Sequence, residues 1–144
     1  MYLAPSPAAD VQVVGGPWMY MAGAAQLEAG AGTDFRSPLV SDVLLAVLQI
    51  SNTGGASWNL KIALSDSAQW PAGVSILLRR SGGSGEAGLS DGLGWRPLTP
   101  DPQLFFSGAG DYAAVEILLR VDGISLRIPP GGYSLNIRYV LEAP

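Results

Sequence analysis

The sequence predicts an all-β protein, an antiparallel β-sandwich of the immunoglobulin-like or jelly-roll kind, with a closed barrel as the alternative. Three observations support this class. Short segments alternate apolar and polar side chains, as half-buried strands do. The 19 glycines and 11 prolines of the chain leave little room for long helices. Turn signals recur roughly every eight to twelve residues, a spacing typical of sandwiches, and they divide the chain into about eight to ten strands.

The clearest strands have strict alternation. The segment WNLKIAL places Trp58, Leu60 and Ile62 on one face, which predicts that Trp58 belongs to the core. The same period of two appears in three further segments, VEILLRV (115–121), ISLRI (124–128) and YSLNIRYVL (133–141). VSILLRR (74–80) also reads as a strand, and VQVV (11–14) and AQLEA (25–29) are weaker candidates.

Residues 42–50, DVLLAVLQI, are apolar on both faces and fit either a buried helix or a central strand. We favour the strand because the turn SNTGG and an alternating segment come directly after it. GWRPL (94–98) and QLFF (103–106) are short and flanked by proline, which predicts edge strands. Residues 1–10 read as an extended tail and residues 11–144 as one domain, with a mobile glycine-rich loop at 81–94.

Composition argues against several classes of function. Charged residues make up 14% of the chain and the net charge is −4, so the basic stripe that nucleic-acid binding needs is missing. No run of 18 apolar residues is present, and we therefore expect no membrane span. The N-terminal segment has no basic residue before Arg36, so no secretory signal is visible.

Catalytic candidates are few. The chain has no histidine and no cysteine, which removes Ser-His-Asp and Cys-His systems. Lys61, the only lysine, alternates outward on its strand and reads as plain surface. We expect no enzyme activity, no cofactor and no metal site, because no acidic motif with calcium-ligand spacing occurs. Five aspartates fall in predicted turns, where their side chains bond nearby backbone amides: Asp66, Asp91, Asp101, Asp111 and Asp122.

Gly83, Gly85 and Gly88 form the pattern G-x-G-x-x-G directly after a predicted strand. A dinucleotide-binding loop needs a helix immediately after these glycines, since the helix N-terminus holds the pyrophosphate. The next segment, LSDGLGWRP, contains two more glycines and a proline. We therefore interpret residues 81–94 as a strand connection and not as a phosphate site.

Two stretches resemble known protein families. LAVLQISNTGGASWNLKIAL (45–64) resembles the strand–N-T-G–strand signature of bacterial and archaeal cell-surface immunoglobulin-like modules. The ending IPPGGYSLNIRYVLEAP (128–144) is similar to the last strand of secreted pilin-like and spore-coat-type β-sandwich subunits. The resemblance implies a secreted, non-enzymatic structural role, although many chaperone-dependent pilins carry a disulfide that a chain without cysteine lacks.

These observations predict an extracellular or cell-surface structural subunit that forms homo-oligomers or binds other surface proteins. Val11 and Val13 are candidate partner contacts, because pilin-like subunits complete a neighbour with a terminal strand; the alternative is an ordinary first strand of the same domain. A second hypothesis is a carbohydrate-binding module, in which exposed Trp70 or Trp95 would stack on a polysaccharide; the alternative is that these rings plug the ends of the sandwich. A third is a virion decoration or tail protein.

Overall fold

A computed structural model describes residues 9–15, 40–65, 73–123 and 136–144. Residues 1–8 of the predicted tail at 1–10, the segments 25–29 and 124–128, and Trp70 lie outside the described residues, whereas Asp10, the end of that tail, is the first residue of a strand. The described parts form eight strands in chain order, β1 to β8: Asp10–Val14, Val40–Ser51, Ser57–Ser65, Ser75–Arg80, Arg96–Pro97, Gln103–Ala109, Tyr112–Asp122 and Asn136–Glu142. A 3-10 turn, Ser84–Glu86, lies between β4 and β5.

The strands form two antiparallel sheets, and the predicted all-β class is confirmed. The five-stranded sheet has the order β1-β2-β7-β4-β5, and the three-stranded sheet has the order β6-β3-β8. The segment 42–50 is a strand and not a helix, since β2 pairs with β1 on one side and β7 on the other. The short segments after residues 94 and 103 lie at sheet edges as β5 and β6, as the prolines predicted.

Alternating side chains of both sheets meet in one core, which explains the sequence period of two. Trp58 is 2% exposed and belongs to this core, as predicted. Its indole nitrogen donates a hydrogen bond to the carbonyl oxygen of Gly110 at 2.9 Å. Most of the rest of the core comes from β2, β4 and β7 on one side and from β3 and β6 on the other: Leu48, Ile50, Ile76, Leu78, Val115, Ile117, Leu119 and Val121; Leu60, Ile62, Phe105 and Phe106. Leu98, just after β5, completes it.

The β2–β3 connection shows how turn residues carry the chain from one sheet to the other. Asn52, Gly54 and Gly55 all have positive φ, between 57° and 80°, a region that glycine and asparagine adopt most easily. The amide of Ala56 donates to the carbonyl of Thr53 at 3.0 Å and closes the turn. The turn that the segment SNTGG predicted is confirmed, and β3 crosses to the second sheet.

Candidate functional site

The glycine-rich loop is built around an ion pair that lies inside the protein. Arg80 occupies the inward position after Ile76 and Leu78 on β4, and Glu86 lies on the 3-10 turn; each residue is 4% exposed. Their side chains meet at 3.5 Å, Nη1 to Oε1. Arg80 also donates to the carbonyl oxygens of Asp91 and Leu89, at 2.6 and 3.2 Å. The guanidinium therefore has acceptors on several sides, as a buried charge requires.

The carboxylate of Glu86 accepts the hydrogen bonds of loop donors that would otherwise bind a phosphate. It accepts from the amides of Gly82 and Gly83 at 3.2 and 3.1 Å, and from the hydroxyl of Ser81 at 2.5 Å. The glycine pattern contains only a three-residue 3-10 turn. The geometry therefore fits a strand connection, because the loop amides are occupied from within and no helix N-terminus in this described loop faces a ligand.

These contacts attach the loop to the end of β4 through Glu86 and Arg80. The same loop also covers a sheet edge, since Ser90 and Ser107 exchange two backbone hydrogen bonds, at 2.8 and 3.0 Å. Ser107 lies on β6, an edge strand of the three-stranded sheet. The loop mobility that the glycine content predicts stays a prediction, and hydrogen exchange measures it directly.

A second polar contact joins two turns that are distant in sequence. Thr53 donates both its amide, at 3.1 Å, and its hydroxyl, at 2.6 Å, to Oδ1 of Asp111. The hydroxyl bond, and after it the backbone bond, holds the pKa of Asp111 below its usual value. The turn position of Asp111 predicts a backbone partner close to it in the chain. Its partner instead lies 58 residues away, so it fastens the β2–β3 turn to the start of β7.

Asp111 also borders an open surface depression of about 470 Å³, lined by Gln49, Ile50, Ser51, Asp111, Tyr112 and Ala113. One oxygen of this carboxylate is already bonded twice by Thr53. Within the described parts of the chain, no group of three or more acidic residues is placed to hold a metal ion. Asp111 is therefore the one acid among the residues that line the depression, and no second carboxylate lies in this lining to share general acid–base work.

Trp95, the described tryptophan of the carbohydrate hypothesis, is half-buried just before β5. The guanidinium of Arg79 lies 5.2 Å from the centre of its ring, a cation–π distance. Arg79 in turn bonds Asp42 of β2 at 2.5 Å, reaching across β7 on the outer face of the sheet. Part of the Trp95 ring is therefore covered by a side chain of the protein itself.

Lys61, the one lysine, lies in a surface ion pair and not beside a serine nucleophile. Its Nζ pairs with the carboxylate of Glu142 at 3.0 Å, and the two side chains are 35% and 44% exposed. The pair joins neighbouring strands β3 and β8. The prediction that Lys61 is a surface residue is confirmed.

Val11 and Val13 lie on β1, the first strand of the larger sheet. β1 pairs with β2 of the same chain along its whole length, from Asp10 opposite Ser51 to Val14 opposite Val47. The strand is therefore an ordinary first strand of its own domain, which was the alternative to a strand donated to a neighbour. Val11 packs against the core, whereas Val13 and Val14 are 51% and 46% exposed.

Sheet edges expose unpaired backbone groups, and proteins usually protect them with charges, proline, short length or a covering segment. β5 has two residues, one of them Pro97. The loop pairs with β6 at a single bridge, Ser90 opposite Ser107, and β8 carries the charged residues Arg138 and Glu142. β1 differs from these three edges. Its one charged residue is Asp10, at its start, and it exposes two neighbouring valines, Val13 and Val14.

None of the described residues belongs to a helix long and apolar enough to cross a membrane. Comparison of the chain with protein-family models, with curated proteins and with solved structures finds no match.

Proposed function

We propose that this chain is a non-enzymatic structural subunit that assembles on a cell or particle surface through the outer edge of β1, with which no strand of the described residues pairs. The observation that carries the proposal is the contrast among the four edges of the described sheets. Three are short, covered or charged, and β1 instead presents exposed Val13 and Val14. Natural proteins rarely leave such an edge unprotected, and a strand edge beside apolar side chains is a surface for strand addition.

The polar side chains of the described residues support a structural role over a catalytic one. The buried charges, Arg80 and Glu86, bond each other and the glycine-rich loop. The carboxylate of Asp111 is bonded by Thr53. These polar groups hold turns and loops in place, which is what a subunit of fixed shape requires. Secretion to an extracellular surface is part of the same proposal and rests on the family resemblance.

The test is size-exclusion chromatography with light scattering over a wide range of protein concentration, comparing wild type with Val13→Lys. A lysine at an edge opposes strand addition, so we expect the wild type to associate and the variant to stay monomeric. Leu104→Lys is the matched control, because Leu104 is 40% exposed on β6, an edge strand that the loop already bridges at Ser107. A wild type that is monomeric at every concentration, or association unchanged in Val13→Lys, would overturn the proposal.

A further inference from the structure

The pairing of β1 with β2 shows which way each β1 side chain faces. Residues directly opposite each other in an antiparallel pair point to the same side of the sheet. Val11 and Val13 lie opposite Ile50 and Leu48, both of which are buried in the core. Gln12 lies opposite Gln49, which is exposed. The odd-numbered residues of β1 therefore face the core side, and Asp10, Gln12 and Val14 face outward.

This alternation restricts how a second copy can add to β1. An antiparallel pair of identical strands is related by a two-fold axis, so the same patch serves both partners. The two copies present their core faces on the same side of the joined sheet only when core-side residues of one β1 lie opposite core-side residues of the other. A shift of the pairing by one residue would turn one copy over. The axis must then pass through a residue of β1 and not between two residues. Within Asp10–Val14, only an axis at Gln12 pairs all of the strand's residues.

We propose that the partner of the β1 edge is a second copy of this chain, paired antiparallel with the two-fold axis at Gln12; this inference rests on the proposed function. In this register Val13 of each copy lies between Leu48 of its own chain and Val11 of the other. Two equivalent apolar rows then cross the junction. Each runs from Leu48 and Val13 of one copy to Val11 and Ile50 of the other. The exposed half of Val13 gains an apolar neighbour, which burial favours.

The outward face fits the same register. Gln12 of one copy lies beside Gln12 of the other, and each also lies opposite Gln49 of its own chain. Glutamine amides both donate and accept, so such a row can bond along its length. Asp10 lies opposite Val14 of the other copy, far from the second Asp10. A parallel pairing in register would instead place the two Asp10 carboxylates side by side, which like-charge repulsion opposes.

The chain lacks cysteine, so a single introduced cysteine reports this register without interference. In the proposed pair the two Cα atoms at position 12 are about 4.5–5.5 Å apart, within disulfide range. We expect mild oxidation of Gln12→Cys to give a covalent dimer. Asp10→Cys alone is the control, because its two copies would be roughly 13 Å apart, beyond disulfide reach.

A second measurement keeps Gln12 in place. Asp10→Cys and Val14→Cys chains are mixed and oxidised, and we expect a cross-linked heterodimer, since positions 10 and 14 lie opposite each other in this register. Association in light scattering without either cross-link would overturn the two-fold pair but not the proposed function. A trimer or hexamer, as expected for a virion decoration protein, would have the same two consequences. A protein that neither associates nor cross-links would overturn both. Circular dichroism matching the wild type confirms that each variant is folded.

Discussion

Arg80 and Glu86 form an ion pair that is almost completely buried, with their side chains 5% and 2% exposed. The pair lies where β4 ends and the glycine-rich loop begins. Removing one partner of such a pair leaves the other charge buried without compensation, and this is far more costly than replacing both. The loop therefore depends on two charges in a chain that has few.

The first prediction concerns this pair. Glu86→Gln keeps the shape of the side chain but leaves the Arg80 charge uncompensated, so we expect the free energy of unfolding to fall by about 3 kcal/mol. Glu116→Gln is the control; Glu116 is exposed on β7, and its loss should change stability by less than about 0.5 kcal/mol. Urea unfolding measures both. Equal losses in the two variants would show that the buried pair has no special role.

The double variant Arg80→Met/Glu86→Leu extends this test. It removes both charges, so we expect it to be more stable than Glu86→Gln, because no unpaired charge remains. Hydrogen exchange of the Gly82 and Gly83 amides reports the loop separately, since both donate to Glu86. We expect these amides to exchange faster in Glu86→Gln than in the wild type. Rapid exchange already in the wild type would support a mobile loop.

The second prediction concerns the lowered pKa of Asp111. The group is ionised and bonded to Thr53 in the folded protein, so its stabilisation is complete above its unfolded pKa, near 3.8. That stabilisation is lost as the pH falls through the lower pKa of the folded state. We expect Asp111→Asn to lower the melting temperature at neutral pH, with the difference from wild type shrinking below about pH 3.8.

The control for Asp111 is Asp101→Asn, an exposed aspartate in the turn before β6. Melting curves recorded from neutral to acidic pH compare the two variants with the wild type. A difference between wild type and Asp111→Asn that stays constant down to strongly acidic pH would contradict the assignment, because a protonated Asp111 should resemble the variant.

Strands such as β3 and β7 could be predicted from the sequence because alternation is a local property, whereas β2 is apolar on both faces and is identified from the turn that follows it. Alternation likewise places Trp58 in the core and Lys61 on the surface. The glycines and the proline after Gly88 exclude the helix that a nucleotide-binding loop needs, so the glycine pattern does not predict a nucleotide site. Arg80 could also have been found, since it continues the inward alternation of β4. Its partner could not, because Glu86 meets it only after the loop folds back. The contact between Thr53 and its aspartate is also invisible to local patterns, as the two residues lie 58 positions apart.

A third prediction concerns two glycines with nearly equal backbone angles. Gly123 has φ +86° and Gly55 has φ +80°, so alanine should cost roughly 1–2 kcal/mol at either position. A Cβ at Gly123 would also lie against the backbone carbonyl of Gly73, whereas a Cβ at Gly55 meets no atom within 4 Å among the described residues. We expect Gly123→Ala to lose about 1–3 kcal/mol more than Gly55→Ala. Similar urea midpoints would show that the two backbones separate easily.

The fourth prediction addresses Trp95 and the polysaccharide hypothesis. Arg79 lies over the Trp95 ring, so a double-mutant cycle between Arg79→Ala and Trp95→Leu, which removes the aromatic face, should give a coupling of roughly 0.5–1 kcal/mol. We also expect Arg79→Ala to increase acrylamide quenching of tryptophan fluorescence, and this increase should vanish in the Trp95→Leu background. A polysaccharide that changes the fluorescence of wild type but not of Trp95→Leu would show that the ring binds sugar despite Arg79. An absence of coupling would show that Arg79 is held by Asp42 alone.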